Sequence, residues 1–213
     1  MKPLQDFRKE YKLGRLQESE LTDDPIDLFK QWLHQAIESE LPDPNAMTVA
    51  TVDADGQPSQ RIVLLKDVSE QGFVFYTNLG SKKAQDLKSN AKISLHFPWY
   101  ILERQVKVCG TAEKLSRSQV LKYFLSRPRD SQLGAWASQQ SQPISTRELL
   151  MTQFFQMKEK FAKGEIPLPD FWGGYLVKPH QIEFWQGGEH RLHDRFEYNL
   201  QTDGNWRYHR LMP

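Results

Sequence analysis

The sequence is poor in the features that mark several large functional classes. It holds a single cysteine, Cys109, in 213 residues, which excludes an intrachain disulfide and a cysteine-rich zinc site and suits a reducing compartment. No apolar run approaches the ~20 residues that a membrane-spanning helix needs. The opening MKPLQDFRKEYKLGRLQ is charged and lacks the apolar stretch of a signal peptide, so a soluble, cytoplasmic protein is expected. Nor is there an excess of charge of one sign. Lys and Arg number 28 against 27 Asp and Glu, a formal net charge of +1, so the global field used by non-specific nucleic-acid binders is missing. Any anion recognition has to be local. GxGxxG before a helix, GxxxxGK[ST] and HExxH are all absent, which leaves Rossmann, P-loop and zinc-helix chemistry without support.

Aromatic residues, by contrast, are plentiful: 6 Trp, 7 Tyr and 12 Phe, compatible with a flat ligand and equally with an ordinary β-rich core. The length is ample for one large domain with a real core. After a polar arm, Asp24 reads as an N-cap and Pro25 as the first helical residue. Ile26, Phe29, Leu33, Ala36 and Ile37 then recur at helical spacing. The period next changes. AMTVATVD and PSQRIVLLK flank the turn former DADG as a hairpin, GFVFYTN follows as a strand, and SKKAQDLKSN reads as a short helix opening at Ser81. AKISLHFPW and RQVKVCGTAEKL return to strand composition. Ser116 with Gln119, and Ser145 with Glu148, have capping-box spacing; the first helix should stop before Pro128, and the second reads as a packing helix. GEIPLPDFWGG is a loop, followed by strands at GYLVKP, at QIEFWQ with HRLHDRF as its extension, and at WRYHRL. Short strands at regular spacing predict a mainly β fold, a closed or partly closed antiparallel barrel with helices outside, because closure removes exposed edges.

Basic residues stand at several element ends. Lys82 and Lys83 fall in a first helical turn, where free N–H groups already attract anions, so they read either as a phosphate site or as a solvated pair. Arg61 and Lys66 bracket an apolar strand, five positions apart, and so should face opposite sides and serve different anions, unless they are simply solvent-facing ends. Tyr123 and Arg127, at i and i+4, with Ser131 just past the helix break, could converge on one phosphate; the plainer reading is an exposed arginine at a helix C-terminus. In WQGGEHRLHDRF, an extended chain would put Arg191, His193 and Arg195 on one face, with Leu192 and Phe196 anchoring the other. His190, His193 and Asp194 are metal-ligand types, but on a strand the two histidines diverge, and no metal is expected. Cys109, among apolar neighbours, reads as packing.

These blocks resemble a known family, the pyridoxine (pyridoxamine) 5′-phosphate oxidases. IEFWQGGEHRLHDR is similar to that family's C-terminal signature over its whole length. RIVLLK, FYTNLGSKKA, FPWYILERQV, SRPRDSQLGAW and PLPDFWGG resemble further family blocks in the family's order, from about residue 8 to the C-terminus. The resemblance implies an FMN-binding split β-barrel with a Greek-key-like antiparallel sheet, a homodimer with FMN at the subunit interface, and no nucleic-acid or membrane partner. It also implies oxidation of pyridoxine 5′-phosphate or pyridoxamine 5′-phosphate to pyridoxal 5′-phosphate, with O2 reduced to H2O2. Residues 1–20 would form an arm closing over the active site, and residues 21–213 a single domain with peripheral helices.

By the same resemblance, FMN contacts fall on Arg61, Ile62, Val63, Leu64, Leu65 and Lys66, and on Tyr76, Thr77, Lys82 and Lys83. Gln105, Gln140, Ser141, Trp185 and Arg195 complete the set. Substrate phosphate would be met by Lys66, Tyr123, Arg127 and Ser131. Arg191 and His193, with Leu192 between them, would hold the ring over the flavin as catalytic residues, and Arg8 and Tyr11 would close over the substrate. Lys82 stands where the family pattern leads us to expect arginine; the charge is kept but the bidentate fork is lost. Two readings compete with this one: a split-barrel flavin oxidase of another ring, and a non-catalytic flavin or pyridoxal-phosphate carrier.

Overall fold

The computed structural model describes residues 2–7 and 9–213, so Arg8 lies outside the described residues. Helix α1 (Pro25–Glu38) starts as its cap chemistry predicts, with Asp24 accepting from the Ile26 N–H at 2.8 Å and Pro25 at the first position. Its inward face carries Phe29 and Trp32. Phe29 packs edge-on against Phe73 and Phe97, at centroid distances of 4.9 and 4.8 Å, and Trp32 against Phe184 at 5.3 Å. Complete burial of each such ring contributes about 2–3 kcal/mol, and together these rings close one side of the sheet.

The hairpin forms as expected from strands β1 (Ala46–Val52) and β2 (Pro58–Leu64), in register from Ala46–Leu64 to Val52–Pro58. In its turn the Asp53 carboxylate accepts from the Asp55 and Gln57 N–H groups, and Gly56 takes the positive φ of 84° that suits glycine. Then come β3 (Asp67–Ser69), β4 (Gly72–Asn78), helix α2 (Lys82–Ser89), β5 (Lys92–Trp99) and β6 (Arg104–Lys114). Helix α3 (Arg117–Ser126) has both halves of the Ser116–Gln119 capping box. The chain turns at Pro128 and immediately resumes as α4 (Arg129–Ala137), a helix absent from the sequence expectations. Helix α5 (Arg147–Lys160) is capped by Thr146 rather than Ser145, with the Thr146 hydroxyl accepting from the Leu149 N–H. It buries no residue fully; Phe154 and Met157 lean on the smaller cluster formed by Val120, Phe124, Leu133 and Trp172.

Two expectations near the C-terminus are corrected. The strands predicted at GYLVKP and QIEFWQ are one continuous strand, β7 (Trp172–Gln186). Pro179 suggested a break because it cannot donate to a ladder; the ladder absorbs it through a register shift at Cys109/Gly110, where Gly110 faces Pro179 and an added Cβ would lie 2.4 Å from the Lys178 carbonyl oxygen. The second correction concerns HRLHDRF, which is not a strand extension. Glu189–Arg191 form a 3₁₀ turn with positive φ at His190 (55°) and Arg191 (64°), and β8 begins only at Asp194, running to Leu200 before β9 (Trp206–Arg210). The supposed common face of Arg191, His193 and Arg195 therefore does not exist. Phe196 is buried as expected, but Leu192 is 70% exposed and anchors nothing.

All strand pairs are antiparallel, in the order β2-β1-β5-β6-β7-β4-β3, with β8 and β9 branching from β7. The mainly β expectation with outer helices is thus met. Strand β7 lies against β6 along its length; on its other side it pairs first with β4 (Trp172 to Val177) and then with β8 (Gln181 to Gln186). The sheet forks there. Trp172 and Trp185, thirteen residues apart on β7, are separated by a strand contour of roughly 40 Å.

Candidate functional site

A cavity of about 770 Å³ opens beside the β4 end of β7. Arg61, Ile62, Val63, Leu64 and Lys66 line it, as do Tyr76, Thr77, Lys82 and Lys83. Tyr123, Arg127, Ser131, Gln140 and Ser141 belong to the same lining. Arg61 and Lys66 thus share one cavity instead of serving opposite faces. The reason is that β2 ends at Leu64: the Leu65 N–H donates to Asn45 and the Lys66 N–H to Val74, which turns Lys66 off the strand. Leu65 itself is buried in the core, and Ile62 is 73% exposed.

Lys83 is the most enclosed cation. Its ammonium donates to Gln140 Oε1 at 3.0 Å, Thr77 Oγ1 at 3.1 Å and Ser81 Oγ at 3.3 Å, none of which carries charge. Burial, with Arg61 nearby, brings its pKa down to about 8. Arg61 is fixed from behind by Thr51 Oγ1 (2.7 Å) and Ser59 Oγ (2.6 Å), with the buried Asp86 carboxylate 4.0 Å away. Lys82, which the sequence leaves open between ligand and solvent, lines the cavity while pairing with Asp86 at 2.6 Å and Asp53 at 3.0 Å.

Part of the lining is aromatic. Tyr76, Tyr123 and Trp172 stack, with Tyr76 centroids 3.9 Å from Tyr123 and 5.5 Å from Trp172. The Arg127 guanidinium lies 4.7 Å over the Trp172 ring, and its Nη1 is buried with no hydrogen-bond partner among the described residues. Burial pushes against the charge of Arg127. A buried, unpartnered guanidinium nitrogen costs free energy unless a ligand atom accepts from it. Together with Lys83 it fits an anionic group seated in this cavity. Arg127 is not in the helix, as its i+4 spacing from Tyr123 suggested, but is the C-cap residue with extended backbone, and Ser131 comes from α4. Trp172, Asn78 and Ser138 also line the cavity and were not foreseen; the aromatic block PLPDFWGG was the available signal for Trp172.

The remaining predicted site residues gather elsewhere. Tyr11, Trp185 and His193 form an aromatic cluster, with centroids 5.6 Å (Tyr11–Trp185), 5.4 Å (Tyr11–His193) and 4.6 Å (Trp185–His193). His193 Nδ1 accepts from the Gly188 N–H at 3.1 Å. Burial, then the charges of Arg191 and Arg195, lower the His193 pKa, which favours the neutral ring, and with Nδ1 accepting, the proton of that neutral ring sits on Nε2. Arg191 is exposed on its turn. Gln105, Trp185 and Arg195 line a separate cavity of about 300 Å³. There Glu183, a buried carboxylate, accepts from Arg195 Nε at 2.8 Å and from Lys107 at 2.5 Å. Sequence reasoning missed Glu183.

Residues 33–160 match the family model described as pyridoxamine 5′-phosphate oxidase, and residues 172–213 match that of the pyridoxine 5′-phosphate oxidase C-terminal dimerisation region. Among curated proteins, the chain is 63% identical over 210 residues to a pyridoxine/pyridoxamine 5′-phosphate oxidase of Alteromonas mediterranea, covering 99% of each chain. It is 60% identical to one from Shewanella baltica, covering 100% of each. Among solved structures, PhzG from Burkholderia lata, in complex with tetrahydrophenazine-1-carboxylic acid, superposes with a TM-score of 0.87 at 28% identity, over 93% of this chain and 98% of that one. A pyridoxamine 5′-phosphate oxidase-related, FMN-binding protein of Nostoc punctiforme shares the fold, with a TM-score of 0.72 at 15% identity over 88% of this chain and 96% of that one. The chain belongs to the pyridoxamine 5′-phosphate oxidase family.

Proposed function

We propose that this protein is an FMN-dependent oxidase that converts pyridoxine 5′-phosphate and pyridoxamine 5′-phosphate to pyridoxal 5′-phosphate, with O2 reduced to H2O2. The observation that carries the reading is the division of one cavity into two cationic groups. Arg61 and Lys82 meet at Asp86, and Lys83 is held by Thr77 and Gln140; Arg127 lies instead on the Tyr76–Tyr123–Trp172 stack, with Lys66 and Ser131 on the same cavity lining. Two phosphorylated ligands need two such groups, and this pairing supports FMN at the first and the vitamin phosphate at the second. Ser141 and the backbone from Ile62 to Leu65 complete the proposed flavin contacts.

Bound FMN supplies the two-electron acceptor, so no protein nucleophile is required. The chain's own contribution is position and electrostatics. Arg127, held against Trp172, has a nitrogen free to grip a phosphate oxygen. Arg191 and His193 are assigned to the substrate ring: Arg191 would hold the ring's polar groups in place while its two electrons pass to the flavin, and neutral His193 orients the ring by donating from Nε2. Leu192 lies between them as part of the same contact.

Gln105, Trp185 and Arg195 are assigned to FMN as well, yet they sit at the other end of β7 from Trp172, farther along the strand than a mononucleotide reaches. A homodimer resolves this if each flavin lies between the main cavity of one protomer and the Trp185 end of its partner. The match to a dimerisation region over residues 172–213 supports that arrangement. The arm, residues 1–20, is assigned to closure over the substrate, and residues 21–213 to one domain.

The test is direct. Purified protein is expected to be yellow, to consume oxygen with pyridoxine 5′-phosphate, and to produce pyridoxal 5′-phosphate; colourless protein that takes up no added FMN would sink the proposal. Likeness to PhzG favours a second reading, oxidation of a different ring. Comparing phosphorylated with free pyridoxine separates the two, because Arg127 and Ser131 have no task in an unphosphorylated substrate. Anaerobic mixing separates both from a carrier, since only an enzyme bleaches the flavin.

A further inference from the structure

Glu103 is a carboxylate in an improbable place. It follows a 3₁₀ turn at Tyr100–Leu102 and adopts left-handed backbone angles (φ 55°, ψ 38°), although it is not glycine. Its side chain is only 1% exposed, and among the described residues the carboxylate's hydrogen bonds and ion pair are all with the N-terminal arm. Oε2 accepts from the backbone N–H of Lys12 at 2.7 Å and of Leu13 at 2.9 Å, while Oε1 pairs with Lys9 Nζ at 2.8 Å. The backbone carbonyl of the same residue accepts from the Gly187 N–H at 2.7 Å. One residue thereby ties the arm to the strand end that leads into the Arg191–His193 turn.

Tyr11 lies between these ties. Its ring sits on Trp185 and His193 and fills the space over Gly187, where an added Cβ would come within 2.8 Å of the tyrosine ring. We infer that Glu103 is a positioning residue of the active site: it latches the arm through the Lys12 and Leu13 amides and so seats Tyr11 against His193. The inference rests on the proposed oxidase reading for its catalytic consequence, though not for the latch itself. A charged acceptor with two backbone donors is much stronger than a neutral one. A buried carboxylate with no other partner among the described residues also holds the arm closed, since release would leave the charge unpaired.

The experiment compares the FMN-loaded wild-type protein with Glu103→Gln and Glu103→Ala, each in the full chain and in a chain lacking residues 1–13. Glu103→Gln is expected to speed hydrogen exchange of the Lys12 and Leu13 amides by roughly tenfold or more. In the full chain it should raise KM for pyridoxine 5′-phosphate about tenfold with a smaller change in kcat, and leave FMN content as in the wild type. In the arm-deleted chain it should change KM no further, because the two lesions act through one contact. Unchanged amide exchange would overturn the inference, as would a KM effect of equal size with and without the arm. If Glu103→Ala fails to fold, the Gln variant carries both readouts. A wild-type protein that binds FMN without turning over would defeat the oxidase reading, while the exchange measurement would still decide whether Glu103 holds the arm.

Discussion

The phenol rings of Tyr76 and Tyr123 lie face to face, 3.9 Å between centroids and 12° from parallel, which clamps β4 to α3 across the main cavity. Trp172 extends the stack, and the Arg127 guanidinium rests on its ring. The aromatic wall therefore holds Arg127 in place before any ligand arrives.

Arg127→Ala is expected to raise KM for the phosphorylated substrate by about one to two orders of magnitude, the usual cost of losing a charge-assisted contact, while FMN stays bound. Arg127→Lys should recover only part of this, since an ammonium neither stacks on Trp172 nor grips bidentately. Steady-state rates against flavin content in the same samples check both statements.

Arg191→Ala should depress turnover by one to several orders of magnitude and leave FMN in place. The turn itself can be attacked separately. Gly188→Ala would bring a Cβ to 2.3 Å from the Leu192 carbonyl oxygen, contact that only backbone movement relieves. It should displace Arg191 and His193 together and lower kcat without altering the main cavity. Unaltered rates in Arg191→Ala would refute the role given to this arginine.

Lys83 gives the site a pH dependence with two signs. A bound phosphate favours the ammonium form, so FMN affinity should fall as pH rises above about 8, and Lys83→Met should flatten that slope. In the flavin-free protein the lysine pKa is lower folded (about 8) than unfolded (10.5), so the unfolded state holds more protons in that window. Stability from this group should then rise with pH across it. Flavin titrations and thermal melts from pH 7 to about pH 10.5 read the two slopes.

Glu183→Ala removes a buried carboxylate between Lys107 and Arg195 and should cost about 2 kcal/mol through the cations left unpaired. Burial alone would raise the Glu183 pKa, but hydrogen bonds and charge from Lys107 and Arg195 outweigh it and hold it below the ordinary carboxylate value. Its contribution is therefore present above the unfolded-state pKa of about 4.3 and is lost as pH falls through the lower folded value. Acid melts should show the wild type losing this advantage over Glu183→Ala below about pH 4.

Local chemistry was the legible part of the sequence. Asp24 and Ser116 announce their helices because a cap acts within four residues, and the DADG turn fixes its hairpin the same way. Lys83 could be recognised as a cation at a helix start, yet its cage of Thr77, Ser81 and Gln140 spans 57 residues to Gln140 and leaves no local trace. The meeting of Arg61 with Lys66 depends on where β2 stops, which is decided by Asn45 and Val74 on neighbouring chain segments. The turn at His190 and Arg191 reads as strand from the sequence because positive φ is uncommon outside glycine and an arginine gives no sign of it, although histidine tolerates it better than most. Arg191, His193 and Arg195 stand out as a basic cluster whatever the local backbone, and the roles given to them come from the block resemblance.

The length of β7 has a genetic consequence. If Trp172 and Trp185 serve different flavins, a chain damaged only at Lys83 and a chain damaged only at Arg195 are defective in different halves of the site. Refolded together at equal amounts, they would form mixed dimers in half of the population, each with one doubly damaged site and one intact site. About a quarter of wild-type activity should reappear from two nearly inactive parents. Two alleles of this kind would complement each other in one cell, whereas two alleles striking the same half would not.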